Sequence, residues 1–251
     1  MRQVFKKVIT AATIAASLFA AQAQASVVLA GTRVIFPANE REVTIKLSND
    51  GKVPALVQAW VDNGNVNESL EKIDVPFTLT PSMFRLDPNK GQTLRLIYTK
   101  EPLAQDKETL FWLNVLEVPP KAEAAEDANK LQLALRTRIK ILFRPQGLPG
   151  TAEAAPALTK WQVIREGNGY ALKATNPTAY FVNLGSVALQ SGGKQYDAGS
   201  GYVKPGESKV FPILGLATGA ETGAEVEYIS INDWGGGVKA KQPVSSGNAA
   251  P

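Results

Sequence analysis

The segment from Asn129 to Pro145, NKLQLALRTRIKILFRP, alternates along its length between two sets of side chains. In an extended chain, one face would carry the mainly apolar set Leu131, Leu133, Leu135, Thr137, Ile139, Ile141 and Phe143. The opposite face would carry the more polar set Gln132, Ala134, Arg136, Arg138, Lys140 and Leu142. This period of two predicts a β-strand with two different faces. At ~3.3 Å per residue the strand would span about 40 Å, far more than the ~5 to 6 residues of a typical strand.

Shorter alternating runs recur along the chain and are separated by clusters of Gly, Pro, Asn and Asp. Candidate strands fill the chain up to residue 145 and start again after the Gly-, Pro- and Ala-rich stretch 146–156. None of the runs keeps the period of a helix, so the pattern predicts an all-β protein made of two sandwiches. We expect domains at 26–147 and 148–238, followed by a disordered tail at 239–251 that has too few apolar residues to pack.

The first 25 residues are typical of a cleaved secretory signal peptide. They have a basic start, an apolar run at 8–20 and the small-residue ending Ala23-Gln24-Ala25. The alternative is a membrane anchor, but a spanning helix needs ~20 apolar residues and this run has 13. We therefore expect an exported protein whose mature chain begins near Ser26.

Charge and missing residue types narrow the function classes. The chain has 27 Lys and Arg against 23 Asp and Glu, and removing the three cations of the signal leaves 24 against 23. A nearly neutral mature chain gives no reason to expect nucleic acid as a partner. The chain has no Cys and no His, which excludes disulfides and thiolate nucleophiles and removes the usual neutral-pH base and nearly all zinc and copper sites. We expect no metal and no cofactor.

Several residue sets could suggest an enzyme or a sugar-binding module, and each has a more ordinary interpretation. The Ser-x-x-Lys sequences Ser69–Lys72 and Ser191–Lys194 lie in a polar connector and a Gly-Gly turn, whereas acyltransferase chemistry needs them on a helix. Glu225 and Glu227 share one strand face, whereas glycoside hydrolysis needs carboxylates on either side of a sugar. Four tryptophans could form a sugar platform, although three lie in strand patterns where core packing is usual: Trp60, Trp112, Trp161 and Trp234. We expect a protein that is not an enzyme.

Two cations and a row of leucines carry more information. Arg33 in GTRVIF and Lys140 in RIKILF are flanked by residues typical of a sandwich core. Such a charge either lies on the solvent face of its strand or meets an ion partner or a ligand. The residues alone do not decide between these interpretations. Leu131, Leu133 and Leu135 would ordinarily face their own core, but a sandwich of about 25 to 30 Å cannot cover a strand of about 40 Å. An uncovered leucine row favours aggregation unless another chain pairs there.

Eight segments, taken together and in order, resemble the periplasmic pilus chaperones of the chaperone–usher pathway. They are GTRVIFP, LSNDGKVPALVQAWVD, FRLDP, LRLIY, ETLFWLNVLEVPP, LQLALRTRIKILFRP, NPTAYFV and YISINDWGG. The resemblance implies two immunoglobulin-like domains in a boomerang arrangement with a cleft between them. It also implies a non-enzymatic periplasmic chaperone that binds pilin subunits and delivers them to an outer-membrane usher.

The resemblance also assigns roles to the two cations and the leucines. In this family an Arg and a Lys hold the C-terminal carboxylate of a pilus subunit, and their positions match Arg33 and Lys140. The long strand lends alternate apolar side chains to the subunit, whose fold lacks its last strand. The positions that match this donor row are Leu131, Leu133 and Leu135.

Glu108, Arg144 and Asp233 match an interdomain ion network of the family that would set the cleft angle, although ordinary surface pairs remain the alternative. The short connector from Pro119 to Lys130 resembles the short-loop branch, which is associated with rod-like pili. The partners implied are pilin subunits and an usher, and self-association of the free protein is a further candidate. Two rival classes stay open: a pilus subunit or adhesin, and an exported carbohydrate-binding module or enzyme.

Overall fold

The computed structural model describes residues 26–120 and 133–246, so the expected signal peptide at 1–25 lies outside the described residues. The first domain contains a 3₁₀ turn (Leu70–Lys72) and the strands β1 (Val27–Leu29), β2 (Arg33–Pro37), β3 (Glu42–Asn49), β4 (Ala55–Asp62), β5 (Phe77–Thr80), β6 (Met83–Leu86), β7 (Gly91–Tyr98), β8 (Thr109–Val118) and β9 (Leu135–Arg144). The second domain contains helix α1 (Ala155–Leu158) and the strands β10 (Lys160–Glu166), β11 (Gly169–Thr175), β12 (Val182–Ser191), β13 (Lys194–Asp197), β14 (Gly201–Val203), β15 (Ser208–Pro212), β16 (Glu225–Ile231), β17 (Gly237–Pro243) and β18 (Ser245–Ser246). Among these described residues, no helix is long and apolar enough to cross a membrane.

Two sheets form the first domain, with strand orders β1-β3-β7-β5 and β2-β9-β8-β4-β6. β2 runs parallel to β9, whereas β8 runs antiparallel to it. The alternation predicted for β9 is present from Arg138 to Ile141, because Ile139 and Ile141 are buried while Arg138 and Lys140 are partly exposed. It ends at Leu142, which is buried together with Phe143. Burial of one face of each strand gives the two sheets a common core, as expected for a sandwich.

The second domain repeats this architecture with sheets β15-β11-β10-β18 and β13-β12-β16-β17, and β14 pairs with β12. Its core contains Trp161, whose ring stacks on that of Tyr228 with centroids 5.7 Å apart. The all-β, two-domain fold expected from the sequence is therefore confirmed.

The end of the second domain differs from the sequence expectation. Instead of a disordered tail from residue 239, strand β17 pairs along its whole length with β16, and β18 pairs with β10. The expectation of disorder is wrong for 239–246, because ladder hydrogen bonds hold this segment although few of its side chains are apolar. Glu227 of β16 also forms ion pairs with Lys239 and Lys241 across the ladder. Residues 247–251 lie outside the described part of the chain.

Strand β9 also begins later than predicted. It starts at Leu135, which pairs with Glu117 near the end of β8. Leu133 and Ala134 precede the strand, close to the point where β8 ends at Val118. β2 reaches β9 only from Lys140 onward, so among the described strands β9 pairs with β8 alone before that residue.

Candidate functional site

Arg33 and Lys140 lie side by side on two parallel strands. Arg33 of β2 is in register with Lys140 of β9, which puts their backbones about 4.8 Å apart. Arg33 Nη1 donates a hydrogen bond to the carbonyl oxygen of Ile231 at 3.0 Å, and Lys140 Nζ donates one to Asn183 Oδ1 at 2.5 Å. Because both acceptors belong to the second domain, the two cations extend from the first domain across the junction.

The pair has no salt-bridge partner in the described part of the chain. Among the described residues, neither Arg33 nor Lys140 forms a salt bridge with an Asp or Glu. Arg33 Nε is buried and has no hydrogen-bond partner in the described part of the chain. Burial, followed by the charges of Arg33 and Lys209, lowers the pKa of Lys140 to about 8. Burial also lowers the pKa of Arg33, with Asp233 acting in the opposite direction. The pair is therefore a half-buried cationic site that a bound anion would stabilise.

Aromatic rings complete the surroundings of Lys140. Its Nζ lies 4.4 Å from the ring centroid of Tyr202 and 5.7 Å from that of Trp112. Phe181 packs against Tyr202 with centroids 5.8 Å apart. Tyr202 and Asn183 are also cross-strand partners in the second domain. Sequence reasoning missed Tyr202 and Asn183, because nothing local to them indicates that they meet a lysine of the other domain.

The donor leucines lie at the open end of the same strand. Leu133 and Leu135 are 64% and 47% exposed, so they do not belong to the protein's own core, while Leu131 lies outside the described residues. The core positions on this face begin at Ile139. Leu135 precedes Lys140 by five residues, or about 17 Å of extended chain. An open strand edge and the cationic pair therefore follow one another along β9.

Arg144 connects the two domains through its whole guanidinium group. Its Nε donates to Glu108 Oε1 at 2.6 Å, and its Nη1 and Nη2 donate to the two oxygens of Asp233 at 2.7 and 2.9 Å. Glu108 accepts a further hydrogen bond from the backbone N–H of Phe181 at 2.7 Å, and its own N–H donates to the carbonyl oxygen of Ala179. Burial raises the pKa of Glu108, and Arg144 opposes that effect. The three residues singled out in the sequence thus meet at the domain junction.

A second charged cluster covers the face of β9 that also carries Lys140. Asp62 is buried and accepts hydrogen bonds from Asn114 Nδ2 at 2.7 Å and from Arg138 Nη2. Arg136 donates from Nε and Nη2 to Asn114 Oδ1 at 2.9 and 2.6 Å. These hydrogen bonds connect the polar face of β9 to β8 and β4, while Leu133 and Leu135 on the other side of the chain stay exposed.

Two tryptophans take part in the same cluster. The guanidinium carbon of Arg136 lies 4.9 Å from the ring centroid of Trp60, and that of Arg138 lies 4.3 Å from the ring of Trp112. The sequence does contain a signal for this arrangement, because Trp-Val-Asp in β4 and Trp-Leu-Asn in β8 repeat the same spacing. Residues two apart share a strand face, so these pairs can meet alternate cations of a third strand.

The other candidate groups do not assemble into a catalytic site. Ser69–Lys72 forms a 3₁₀ turn in which Ser69 makes no side-chain cap. Ser191 Oγ accepts a hydrogen bond from the N–H of Glu221 at 2.9 Å in the β12–β13 region. Trp161 is a core residue, whereas Trp234 is exposed. Within 26–120 and 133–246, no group of three or more Asp or Glu side chains could hold a metal ion.

Both domains match known sequence families. The profile described as "Pili and flagellar-assembly chaperone, PapD N-terminal domain" matches residues 26–149, and "Pili assembly chaperone PapD, C-terminal domain" matches residues 154–242. The two profiles cover the two immunoglobulin-like sandwiches of this chain and together define its class. The chain belongs to the family of pilus assembly chaperones, a non-enzymatic class, and its function is that of a chaperone for pilus subunits.

Individual relatives agree with this assignment. The chain is 42% identical to the "Probable fimbrial chaperone YadV" of Escherichia coli K12 over 224 residues, which cover 88% of this chain and 91% of that protein. It is 43% identical to "Chaperone protein FimB/FhaD" of Bordetella pertussis over 229 residues, 90% of each chain. The crystal structure of the YadV chaperone superposes with a TM-score of 0.75 at 39% identity, covering 87% of this chain and 100% of that one. A chain of the Salmonella enterica SafA pilin in complex with the SafB chaperone matches with a TM-score of 0.72 at 31% identity, covering 89% and 98%.

Proposed function

We propose that this chaperone acts in the periplasm, where it lends strand β9 to a pilus subunit and anchors the subunit's C-terminal carboxylate on Arg33 and Lys140. It then delivers the subunit to an outer-membrane usher. The observation that carries the proposal is a cationic pair at the end of an open strand edge that forms no salt bridge within 26–120 and 133–246.

The carboxylate assignment is supported by the chemistry of the pair. A carboxylate accepts hydrogen bonds from a guanidinium and an ammonium at once, and capture of a chain terminus by fixed donors is a common recognition mode. Arg33 Nε is buried and has no hydrogen-bond partner among the described residues, so it is a donor that such a group could satisfy. Burial lowers the pKa of Lys140, and the charges of Arg33 and Lys209 add to that effect, so a bound carboxylate would favour the charged form of the lysine.

The strand assignment is supported by the exposed leucines. A subunit strand that pairs with the free edge of β9 would gain main-chain hydrogen bonds, and strand addition of this kind is already known for chaperone–pilin complexes. Burying a leucine side chain contributes about 1.5 to 3 kcal/mol, so three could contribute on the order of 5 to 8 kcal/mol before ordering costs. Register would be fixed as well, because a slip by one residue would present the opposite face of the strand.

Two further observations bear on the alternatives. The relative SafB is described in complex with the SafA pilin, which favours a pilus subunit as the partner here. The first domain holds its own last strand, β9, between β8 and β2, which disfavours a pilus subunit with an incomplete fold. Self-association of the free chaperone would also cover Leu133 and Leu135, and sedimentation over a range of concentrations tests it.

The test is a tagged pull-down from periplasmic extract with three proteins side by side. These are the wild type, Lys140→Ala, and the control Lys194→Ala, whose exposed lysine begins β13, beyond the end of β12. We expect a small pilin-like protein at about one to one with the wild type and the control, and its loss with Lys140→Ala. Normal recovery with folded Lys140→Ala would overturn the anchor, and recovery of no such protein with the wild type would overturn the partner.

A further inference from the structure

We propose that Lys209, from the second domain, is a third cation of the subunit site and selects subunits whose last residue carries an acidic side chain. The inference rests on the proposed function, because it needs the terminal carboxylate to lie on Arg33 and Lys140. It adds a specificity determinant that neither the exposed strand edge nor the cationic pair supplies.

Lys209 and Lys140 approach the same aromatic ring from different domains. The Nζ of Lys209 lies 5.3 Å from the ring centroid of Tyr202 and the Nζ of Lys140 lies 4.4 Å from it. The two ammonium groups are therefore no more than about 10 Å apart. Lys209 Nζ also lies 5.2 Å from the ring of Phe211, so aromatic rings rather than carboxylates surround it.

The backbone beside Lys209 is shaped to admit its side chain. Gly201 has a φ of 154°, and a Cβ added there would lie 2.5 Å from Lys209 Nζ. The backbone of β14 therefore lies in close contact with the ammonium group, and a side chain at residue 201 would displace Lys209 Nζ from its place beside Tyr202.

The charges of the site do not balance with a single carboxylate. Among the described residues Lys209 forms no salt bridge, as is also true of Arg33 and Lys140. Asp233, whose charge raises the pKa of Arg33, uses both of its oxygens on Arg144. Three cations facing one terminal carboxylate would leave positive charge uncompensated in a half-buried space.

A C-terminal Glu would supply the second negative charge with suitable geometry. Its side-chain carboxylate lies about 5 to 6 Å from its own α-carboxylate in an extended conformation. That separation is within the span set by Tyr202 between Lys140 and Lys209. A Gln at the same position would keep the size of the side chain and remove only its charge.

The experiment uses three synthetic peptides that share an alternating strand sequence. They are N-acetyl-Val-Thr-Val-Thr-Val-Thr-Glu and the same peptide ending in Gln, both with a free carboxylate, and the Gln peptide as a C-terminal amide. Each is titrated at pH 7 and low salt into the wild type, Lys209→Gln and the control Lys194→Gln, with NMR shifts giving the dissociation constants. Lys194 is exposed and lies beyond the end of β12, about 26 Å along that strand from Asn183.

We expect the wild type and Lys194→Gln to prefer the Glu peptide by about fivefold, as for a partly exposed ion pair, and Lys209→Gln to bind both acids equally. All three proteins should bind the amide more weakly than the Gln acid, which tests the proposed carboxylate anchor separately. In Lys209→Gln, the same loss of affinity shows that the site of Arg33 and Lys140 is intact. Equal binding of Glu and Gln peptides by the wild type, or a preference that survives in Lys209→Gln, would overturn the role of Lys209 alone. Equal binding of acid and amide would overturn the anchor as well, as would the absence of saturable binding.

Discussion

The affinity for a carboxylate ligand is expected to fall as the pH rises through the pKa of Lys140. In the free protein that pKa is about 8, mainly because of burial and further because of Arg33 and Lys209. A carboxylate bound beside the ammonium group favours its charged form, so binding raises the pKa and draws in a proton above pH 8. The affinity is therefore fully present below pH 8 and is lost as the pH rises above it.

The magnitude follows from the two pKa values. If the bound carboxylate restores the pKa of Lys140 to its ordinary 10.5, the complex keeps the proton at pH 9 while about nine-tenths of the free protein has lost it. The affinity at pH 9 is then about tenfold weaker than at pH 7, or about 1.4 kcal/mol. Proton uptake on binding should rise from about 0.1 at pH 7 to about 0.9 at pH 9.

Isothermal titration calorimetry measures both quantities. The free-acid peptide ending in Gln is titrated at pH 7, 8 and 9, each in two buffers of different ionisation enthalpy, and the difference in heat gives the proton uptake. Lys140→Arg is the control, because a guanidinium keeps its charge throughout this range, and its affinity should be independent of pH. An affinity of the wild type that depends on the free carboxylate but is equal at pH 7 and 9 would refute the reasoning.

Four further substitutions test other parts of the molecule. Arg144→Ala should lower the free energy of unfolding by about 3 to 5 kcal/mol, because it leaves the carboxylate of Glu108 buried without its partner; urea unfolding measures this, and a loss below 1 kcal/mol would contradict it. Leu135→Asn should abolish subunit recovery and change the free energy of unfolding by no more than about 0.5 kcal/mol, because the side chain is exposed. Ile139→Ala should lower that free energy by about 2 to 5 kcal/mol, because the side chain is buried. Equal losses for the two substitutions would contradict this difference in burial. Asp62→Ala should destabilise by about 3 kcal/mol, because its buried carboxylate serves several donors, and thermal unfolding unchanged within error would count against that network.

The sequence predicted the class of fold because strand periodicity is a local property. Side chains two apart share a face whatever the rest of the chain does, so the burial of Ile139 and Ile141 and the position of Lys140 on the opposite face follow from the alternation itself. The same reasoning singled out Arg33 and Lys140 as cations among core-type residues. Their meeting on neighbouring parallel strands came from the resemblance, since nothing in the spacing of residues 33 and 140 indicates it.

The ends of elements were less accessible to sequence reasoning. Strand β9 starts at Leu135, which pairs with Glu117 one residue before β8 ends at Val118, and the alternating pattern cannot reveal where this ladder stops. For the same reason the segment 239–243, poor in apolar residues, forms a strand: β16 provides a continuous partner. Apolar content governs packing, whereas ladder hydrogen bonds depend on which backbone lies alongside.

By itself the sequence determined which residues face inward, which segments extend and which charges are out of place in a core. Only the tertiary structure decided that Lys140 and Lys209 both lie against the ring of Tyr202. It also decided that Lys140 forms no salt bridge with a carboxylate among the described residues. Local pattern fixes the direction of a side chain, because the backbone geometry of a strand repeats every two residues. The charge and burial around that side chain depend on segments distant in sequence, so its pKa and its capacity to bind an anion are properties of the folded molecule.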